Sequence, residues 1–222
     1  MECIRTLQDL ENAIEELGFL PYSGNTSQML FSLDDMTDNV WFDGSQSDPW
    51  QWRQCIASAG RQAYGKFFLK KSGFVAPRFL PAFIAVRRDN RSCAELYEEG
   101  LVSRPAKRVY DCFDEQREWT YQELKREAGY GNGASREFES ALVELQMLFF
   151  LCISGQSWRI NREGVPYGWP CNDFSRLDAR FPEAAQSVLS REEGEEELLR
   201  ALDRIGDFPK TRALRLLRGG SV

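Results

Sequence analysis

The residues from 105 to 153 constrain the fold more than any other stretch, because three helical patterns with clear start signals precede a β-type run. Pro105 suits the first turn of a helix, and Thr120 with Glu123 forms a capping box at the start of a second one. A third helix is predicted from Ser135, because apolar residues after it recur at helical spacing. These residues are Phe138, Leu142, Leu145 and Phe149.

Two β-type runs follow the third helix, LFFLCI at 148–153 and WRIN at 158–161. The polar run between them, residues 154–157, has the length of a hairpin loop. Three helices followed by a two-stranded hairpin are typical of a winged helix, a helix-turn-helix variant whose third helix enters the major groove of DNA. We therefore predict an α+β, mostly helical protein that contains a winged helix, with additional helices before and after it.

The other start and stop signals divide the chain into three regions that we expect to pack as one compact unit. They are an N-terminal helical region at 1–100, the winged-helix region at 101–170 and C-terminal helices at 171–222. In the first region, Asp48 before Pro49 marks the start of a helix that ends near Ala59. An extended segment at 63–70 and a turn at 71–73 follow. The buried side of the helix is predicted to carry Trp52, Cys55, Ile56 and Ala59.

Charge is sorted by segment in the first ninety residues. Residues 50–91, which we call the basic block, carry nine Lys or Arg and one acid, Asp89. The first fifty residues carry ten Asp or Glu and one cation, Arg5. Segregated positive charge with interleaved aromatic residues is typical of a surface that binds a polyanion. Neutralisation of the basic block by the upstream acids, inside one domain, is the alternative.

We predict that nucleic-acid contacts come from the basic block and from the start of the third helix. Cations of the block would contact phosphates, and an aromatic ring between them would stack on a base or sugar. Two further arginines end a helix that is predicted from Pro77. The predicted DNA-binding residues are Arg53, Arg61, Tyr64, Lys66, Lys70, Lys71, Arg87, Arg88, Asn132, Ser135 and Arg136.

The composition excludes several catalytic and metal-binding chemistries. The chain has no histidine, which rules out Ser-His-Asp triads, Cys-His dyads and His-ligated metals. Its six cysteines never form a Cys-x-x-Cys pair, and we predict no metal, no cofactor and reduced thiols in the cytoplasm. No apolar run reaches the roughly 18 residues that a membrane span needs. Asp48 is the one catalytic candidate, as a base that activates water, although its position before Pro49 also fits a helix cap.

Several motifs resemble, in the same order, those of a known family. They are DPWQWR at 48–53, AYGKFFLKKSGF at 63–74, FLPAF followed by two arginines at 79–88, LVELQML at 142–148 and GVPYGW at 164–169. Over about residues 40–205 the chain resembles the AlkZ-related proteins, small bacterial relatives of the AlkZ/YcaQ DNA glycosylases. The resemblance implies a winged-helix architecture and contact with double-stranded DNA, in the context of DNA repair.

The resemblance leaves base excision open. In the glycosylases, excision relies on a Gln-x-Gln or Gln-x-Asp motif near the N-terminal part of the fold. Here Gln8 is followed directly by Asp9, and Gln51-Trp52-Arg53 has a cation where a second polar group is needed to position water. The alternatives are a noncatalytic winged-helix module for protein contacts and a protein that resembles a transcription regulator.

Overall fold

The structure is a computed structural model that describes residues 3–24, 29–113, 118–131, 134–186 and 188–220. Within these ranges the α-helices are α1 Leu7–Leu17, α2 Pro49–Ala59, α3 Leu80–Arg88, α4 Cys93–Glu98, α5 Arg104–Tyr110, α6 Tyr121–Glu127, α7 Ser135–Met147, α8 Leu177–Arg180, α9 Pro182–Gln186, α10 Arg191–Ile205 and α11 Lys210–Leu217. The strands are β1 Phe19–Pro21, β2 Ala63–Phe68, β3 Lys71–Val75, β4 Glu118–Thr120, β5 Leu151–Ile160 and β6 Pro166–Arg176. Short 3-10 helices occur at Leu33–Asp35 and Pro77–Phe79. No helix in the described ranges has the length and apolar composition that crossing a membrane requires.

The strands form a six-stranded antiparallel sheet in the order β1-β3-β2-β5-β6-β4. Two hairpins, β2-β3 and β5-β6, meet where Tyr64 pairs with Ile153. The first 100 residues and the region after residue 101 therefore share one sheet. Helices and an antiparallel sheet together confirm the predicted α+β class.

The turn between β2 and β3 lies earlier than the sequence predicts. Phe68 pairs with Lys71, and the two loop residues Leu69 and Lys70 have φ values of 50° and 68°. Such a two-residue turn usually contains Gly or Asn, and the absence of that signal here explains the wrong position. Gly73 belongs to β3, where a Cβ atom would lie 2.8 Å from the carbonyl oxygen of Leu20. Gly73 therefore allows β3 to pack closely against β1 and is not part of the turn.

Helix α2 has the predicted ends but a different buried side. Asp48 is its N-cap and Pro49 its first residue, and Gly60 ends it at φ 66°. Arg53 and Ala57 are buried beside Trp52 and Ile56, whereas Cys55 and Ala59 are exposed. The prediction for Cys55 and Ala59 was wrong because α2 packs against both β2 and β5, which turns its buried side by about one residue.

The predicted hairpin loop at 154–157 was also wrong. Strand β5 continues through it to Ile160, and β6 returns from Pro166. Two of the polar side chains bond across the strands, because Ser157 donates to Asp173 at 2.6 Å and Gln156 donates to Asn172 at 3.4 Å. The two β-type runs are thus one strand. Its partner β6 runs from Pro166 to Arg176 and so continues across the predicted boundary between the second and third regions, at residue 170.

One hydrophobic cluster extends from Ile4 to Leu217 and includes residues of all three predicted regions. At its centre the ring of Phe149, after α7, stacks on Phe67 of β2 at 4.5 Å and on Phe83 of α3 at 5.0 Å. Helix α10 approaches α3 closely at Gly194, where a Cβ atom would lie 2.8 Å from the carbonyl oxygen of Ala82. The core thereby fixes α7 and the β5-β6 hairpin relative to the N-terminal strands.

Candidate nucleic-acid interface

Two cavities border the exposed side of α7. The first, of about 390 Å³, lies between α7, the start of α2 and the β5-β6 hairpin. The second, of about 650 Å³, lies between α7, the β2-β3 turn and the end of α11. Lys66 of β2 and Glu139 and Val143 of α7 line both cavities, which therefore adjoin along the helix. We call the exposed side of α7, together with the walls of these two cavities, the α7 face.

The apolar side of α7 fixes which residues face outward. Phe138 is fully buried, and the rings of Tyr121 and Tyr130 pack against it at 5.2 and 5.3 Å. Because side chains three and four positions apart share a helix side, the positions between the buried ones face solvent. The exposed positions that line a cavity are Arg136, Glu139 and Ser140.

Positive charge on the α7 face is not neutralised. Seven cations line its two cavities, and within the part of the chain that the structure describes only Arg218 after α11 forms an ion pair, with Glu195 at 2.8 Å. The guanidinium of Arg53 lies over the Trp50 ring, and that of Arg87 donates to backbone carbonyl oxygens. The other four cations are Lys66, Lys70, Arg136 and Arg159.

The acids of the α7 face are bonded to neutral donors. Glu139 accepts a hydrogen bond from the Tyr121 hydroxyl at 3.0 Å. Burial and this hydrogen bond raise the pKa of Tyr121 to about 12, so the phenol remains a donor at neutral pH. Glu144 accepts from the backbone N and the hydroxyl of Ser103 at 2.7 and 2.6 Å, before α5. The four cations are therefore left for an anionic ligand.

The wall of the first cavity offers amides beside the single carboxylate of Glu139. Gln146 is buried; its amide nitrogen donates to the carbonyl of Leu142 at 2.8 Å, and its oxygen accepts from the backbone N of Lys66 at 3.0 Å. The other two amides of this wall, those of Gln156 and Asn172, are hydrogen-bonded to each other across the hairpin. Amides donate and accept hydrogen bonds without titrating, so these groups can orient a ligand or a water but cannot act as a base.

Comparison with known proteins places the chain in a family. The model of the family described as AlkZ related matches residues 4–216. The chain belongs to the AlkZ-related family. The resemblance predicted from its motifs is thereby confirmed. Among solved structures, the Streptomyces sahachiroi DNA glycosylase AlkZ is similar to it at 11% sequence identity with a TM-score of 0.48. The similarity covers 98% of this chain and 60% of that one, so the AlkZ-related protein spans less than two thirds of the glycosylase. No curated protein sequence matches it.

In this AlkZ-related protein the cations of the basic block take different places. Lys66 and Lys70 lie on the α7 face. Arg53 also lines the first cavity, but it is only 6% exposed and its guanidinium carbon lies 3.5 Å from the centre of the Trp50 ring. Arg61 forms an ion pair with Glu11 and lines neither cavity. Lys71 is exposed on β3, beside a different cavity.

Two of the predicted contacts have their side chains engaged within the fold, although Arg87 is half-buried and also lines the second cavity. Tyr64 is 3% exposed, and its ring stacks on Phe74 at 5.1 Å, which leaves it no free face for a base. Arg87 donates to the carbonyl oxygens of Phe67 at 2.9 Å, Met147 at 3.2 Å and Leu216 at 3.0 Å, and also to that of Leu217. Four of its five N–H donors are thus committed to backbone carbonyl oxygens.

Arg88 and the residues at the start of α7 complete the predicted set. Arg88 donates to the carbonyl of Arg91 at 2.7 Å and lies over the ring of Phe150 at 4.4 Å. Ser135 is exposed, and its hydroxyl accepts from the Lys125 ammonium at 2.6 Å. Arg136 lines the second cavity. Asn132 lies outside the described residues.

The catalytic candidate Asp48 is fully buried. One carboxylate oxygen accepts from the backbone N of Phe42 at 3.0 Å and of Trp50 at 2.8 Å, and the other accepts from that of Gly44 at 3.0 Å. Both oxygens are therefore bonded to amides, and Asp48 lines neither cavity of the α7 face. This is the helix cap that the sequence also allowed.

Sequence reasoning missed Arg159 and the amides Gln146, Gln156 and Asn172. Arg159 stands between Trp158 and Ile160, and this alternation is the signal for a side chain on the other face of a strand. Arg159 falls in the predicted run WRIN, but it was not chosen because the predicted contacts came from the basic block and the start of the third helix. The amides carry no local signal, since their partners lie on other elements.

Proposed function

We propose that the AlkZ-related protein binds double-stranded DNA through the α7 face. The observation that supports this most directly is the set of cations without ion pairs around one exposed helix side, among the described residues: Lys66, Lys70, Arg136 and Arg159. Contacts of Lys and Arg with phosphates supply much of the affinity for DNA and fix the orientation of the protein on it.

In this proposal α5, α6 and α7 with the β5-β6 hairpin act as a winged helix. The major groove is about 12 Å wide and admits an α-helix, here α7 with its N-terminal end toward the bases. Arg136, in the first turn of α7, is suited to the acceptor atoms of guanine. Lys66 on one flank and Arg159 on the hairpin would contact the phosphates.

The net charge of −6 is compatible with the proposal only if the acids lie elsewhere. Three exposed acids, Glu192, Glu193 and Glu196, occur on α10, which lines neither cavity of the α7 face. Across the described ranges, Arg61 with Glu11 is the one ion pair that joins the basic block to the first fifty residues. The alternative in which the block is neutralised internally therefore has little support.

A protein partner is the second candidate, and the β5-β6 hairpin favours it. The hairpin exposes five large apolar side chains, and clustered exposed apolar groups mark contact surfaces. They are Trp158, Ile160, Val165, Tyr167 and Trp169, the last of which is 87% exposed. If Trp169→Ala binds duplex DNA as the wild type does, this hairpin surface is free for a protein; a weakened complex would instead assign it to DNA.

We limit the proposal to binding. Base excision needs a group that positions water and stabilises the charge that develops on the sugar. The one Gln-x-Asp triplet in the sequence, Gln46-Ser47-Asp48, ends at Asp48, and both carboxylate oxygens of Asp48 are bonded to backbone amides. Incubation with duplexes that carry alkylated or bulky purine adducts, followed by alkaline cleavage, tests for excision. Cleaved product would extend the proposal to catalysis.

The salt dependence of duplex binding tests the proposal. Contact of four cations with phosphates gives a log-log slope of about −3.6 against salt concentration. Single changes Lys66→Gln, Arg136→Gln and Arg159→Gln should each weaken binding and reduce that slope by about 0.9. Arg204→Gln is the matched control, because Arg204 is an exposed cation of α10 that lines neither cavity. Association that is absent, or insensitive to salt, would contradict the proposal.

A further inference from the structure

A third cavity, of about 410 Å³, lies beside the α7 face and is walled by aromatic rings. Four of its lining residues are aromatic, and the charged ones are Asp34 and Lys71. We call it the aromatic pocket; its rings are those of Tyr22, Trp41, Phe42 and Trp50. Trp50 also lines the first cavity of the α7 face, so a single side chain separates the two sites.

The rings pack against one another, and two of them remain accessible. The centres of Tyr22 and Trp41 lie 5.1 Å apart at 81°, and those of Phe42 and Trp50 lie 4.8 Å apart at 47°. Phe42 is 68% and Trp50 37% exposed. Large aromatic rings exposed at the mouth of a cavity lose hydrophobic stabilisation unless a ligand covers them, so these side chains suit a binding role better than a core role.

The carboxylate of Asp48 holds part of the backbone of the pocket wall in place. Phe42 has a φ of 64°, in the left-handed region that a bulky side chain rarely adopts. Such backbone persists only where its surroundings hold it, and it is concentrated at functional sites. Here the buried carboxylate accepts from the amides of Phe42 and Trp50, and so it holds two of the four rings in place.

A flat, neutral ring is the ligand that fits these walls. Aromatic walls also attract organic cations, but positive charge is already present, because Lys71 lines the pocket and Arg53 covers Trp50 at 3.5 Å. A nucleobase can stack on aromatic side chains, and its N–H groups can donate to a carboxylate such as that of Asp34. The pocket volume lies in the range of about 300–1,000 Å³ that is usual for ligand sites.

We propose that the aromatic pocket takes a single unpaired nucleobase from DNA held on the α7 face. The inference rests on the proposed function, because the α7 face would bring the nucleic acid to the shared ring of Trp50. A base within an intact duplex is paired and stacked and does not reach a side pocket. An unpaired base has less stacking and pairing to lose, and so it enters the pocket at a lower cost in free energy.

The test compares two duplexes that differ only by one bulged adenine, at the same salt concentration. The wild type should bind the bulged duplex between about 5-fold and about 150-fold more tightly, the range expected for stacking of one base on aromatic side chains. Trp41→Ala and Phe42→Ala should each bring the ratio of the two dissociation constants close to one. Val40→Ala is the matched control, because Val40 is 67% exposed beside Trp41 and does not line the pocket.

The ratio separates this inference from the proposed function. Lys66→Gln on the α7 face should weaken binding of both duplexes and leave their ratio as in the wild type. A wild type that binds both duplexes equally, or a preference that survives both alanine changes, would overturn the inference and leave the proposed function standing. A wild type that binds neither duplex overturns the proposed function, and the inference with it.

Discussion

Among single residues, Asp48 shows how one buried carboxylate organises two neighbouring segments. It caps α2 through the amide of Trp50, and it also binds the amides of Phe42 and Gly44 in the preceding loop. An ionised acceptor makes stronger hydrogen bonds to N–H groups than a neutral one does. The position before Pro49 therefore anchors both the helix and the aromatic loop.

Asp48→Ala should lower the free energy of unfolding by about 2 kcal/mol, the upper end for loss of a helix N-cap, because three amides lose their acceptor. Asp48→Asn keeps one oxygen and should lose less. Urea denaturation of the two variants measures both effects. Asp43→Ala serves as the control, since Asp43 is exposed and its hydrogen bonds are local, with Ser45 two residues away. Asp48 variants as stable as the control would contradict the anchoring role.

Asp48 and Tyr64 show which features of single residues could be predicted from the sequence and which could not. The cap at Asp48 was predictable because a cap and the first turn of its helix are neighbours in sequence. Its bonds to Phe42 and Gly44 were not, because they depend on how the loop folds back. Tyr64 was assigned to a base because of the cations around it, yet its burial follows from β3 and β5 on either side of β2. Local charge does not reveal which face of a strand is covered.

At the scale of elements, helix starts were predicted better than strand ends. The side chains of Asp48 and Thr120 accept from the backbone N of Trp50 and of Glu123, as expected for the predicted helix starts. Further capping boxes form at Thr6, Ser92 and Ser190. A capping box is complete within four residues, so the sequence contains all of it. Strand ends depend on the partner strand, and for this reason the turns at 71–73 and 154–157 were misplaced. The loop of the β5-β6 hairpin is formed by residues 161–165, between the end of β5 and the start of β6.

The capping box of α10 should make its stability depend on pH. Hydrogen bonds from the backbone and side chain of Ser190 hold the pKa of Glu193 below its ordinary value of 4.5. A carboxyl with a lowered pKa in the folded state contributes stability above its ordinary pKa and loses it as the pH falls through the lowered one. Glu193→Gln should therefore melt below the wild type near pH 7, and the difference should shrink by about pH 3.

Thermal unfolding followed by circular dichroism at both pH values measures this difference. Glu196→Gln is the control on the same helix, because Glu196 is exposed and lies beyond the capping box. The difference between the melting temperature of Glu196→Gln and that of the wild type should stay nearly the same at the two pH values. A difference between Glu193→Gln and the wild type that grew on acidification would show that the sign of the linkage is wrong.

On the scale of the whole molecule, Arg87 of α3 connects segments that are far apart in sequence. Its guanidinium donates to the carbonyl oxygen of Phe67 in β2, to that of Met147 at the end of α7 and to those of Leu216 and Leu217 in α11. The three regions predicted from the sequence thus meet at one side chain. Sequence reasoning placed Arg87 on DNA because it could not tell an inward cation from an outward one in the basic block.

Replacement of Arg87 tests whether this cation belongs to the interior or to the DNA surface. Arg87→Ala removes a hydrogen-bond donor from four carbonyl groups and should lower the free energy of unfolding by about 2–3 kcal/mol. Arg87→Lys should recover little of the loss, because an ammonium is a single point charge and cannot match the planar fork of a guanidinium. Arg136→Ala, an exposed cation of α7, should unfold like the wild type and bind duplex DNA less tightly. If Arg87→Ala instead kept wild-type stability and lost affinity for duplex DNA, Arg87 would belong with the cations of the α7 face.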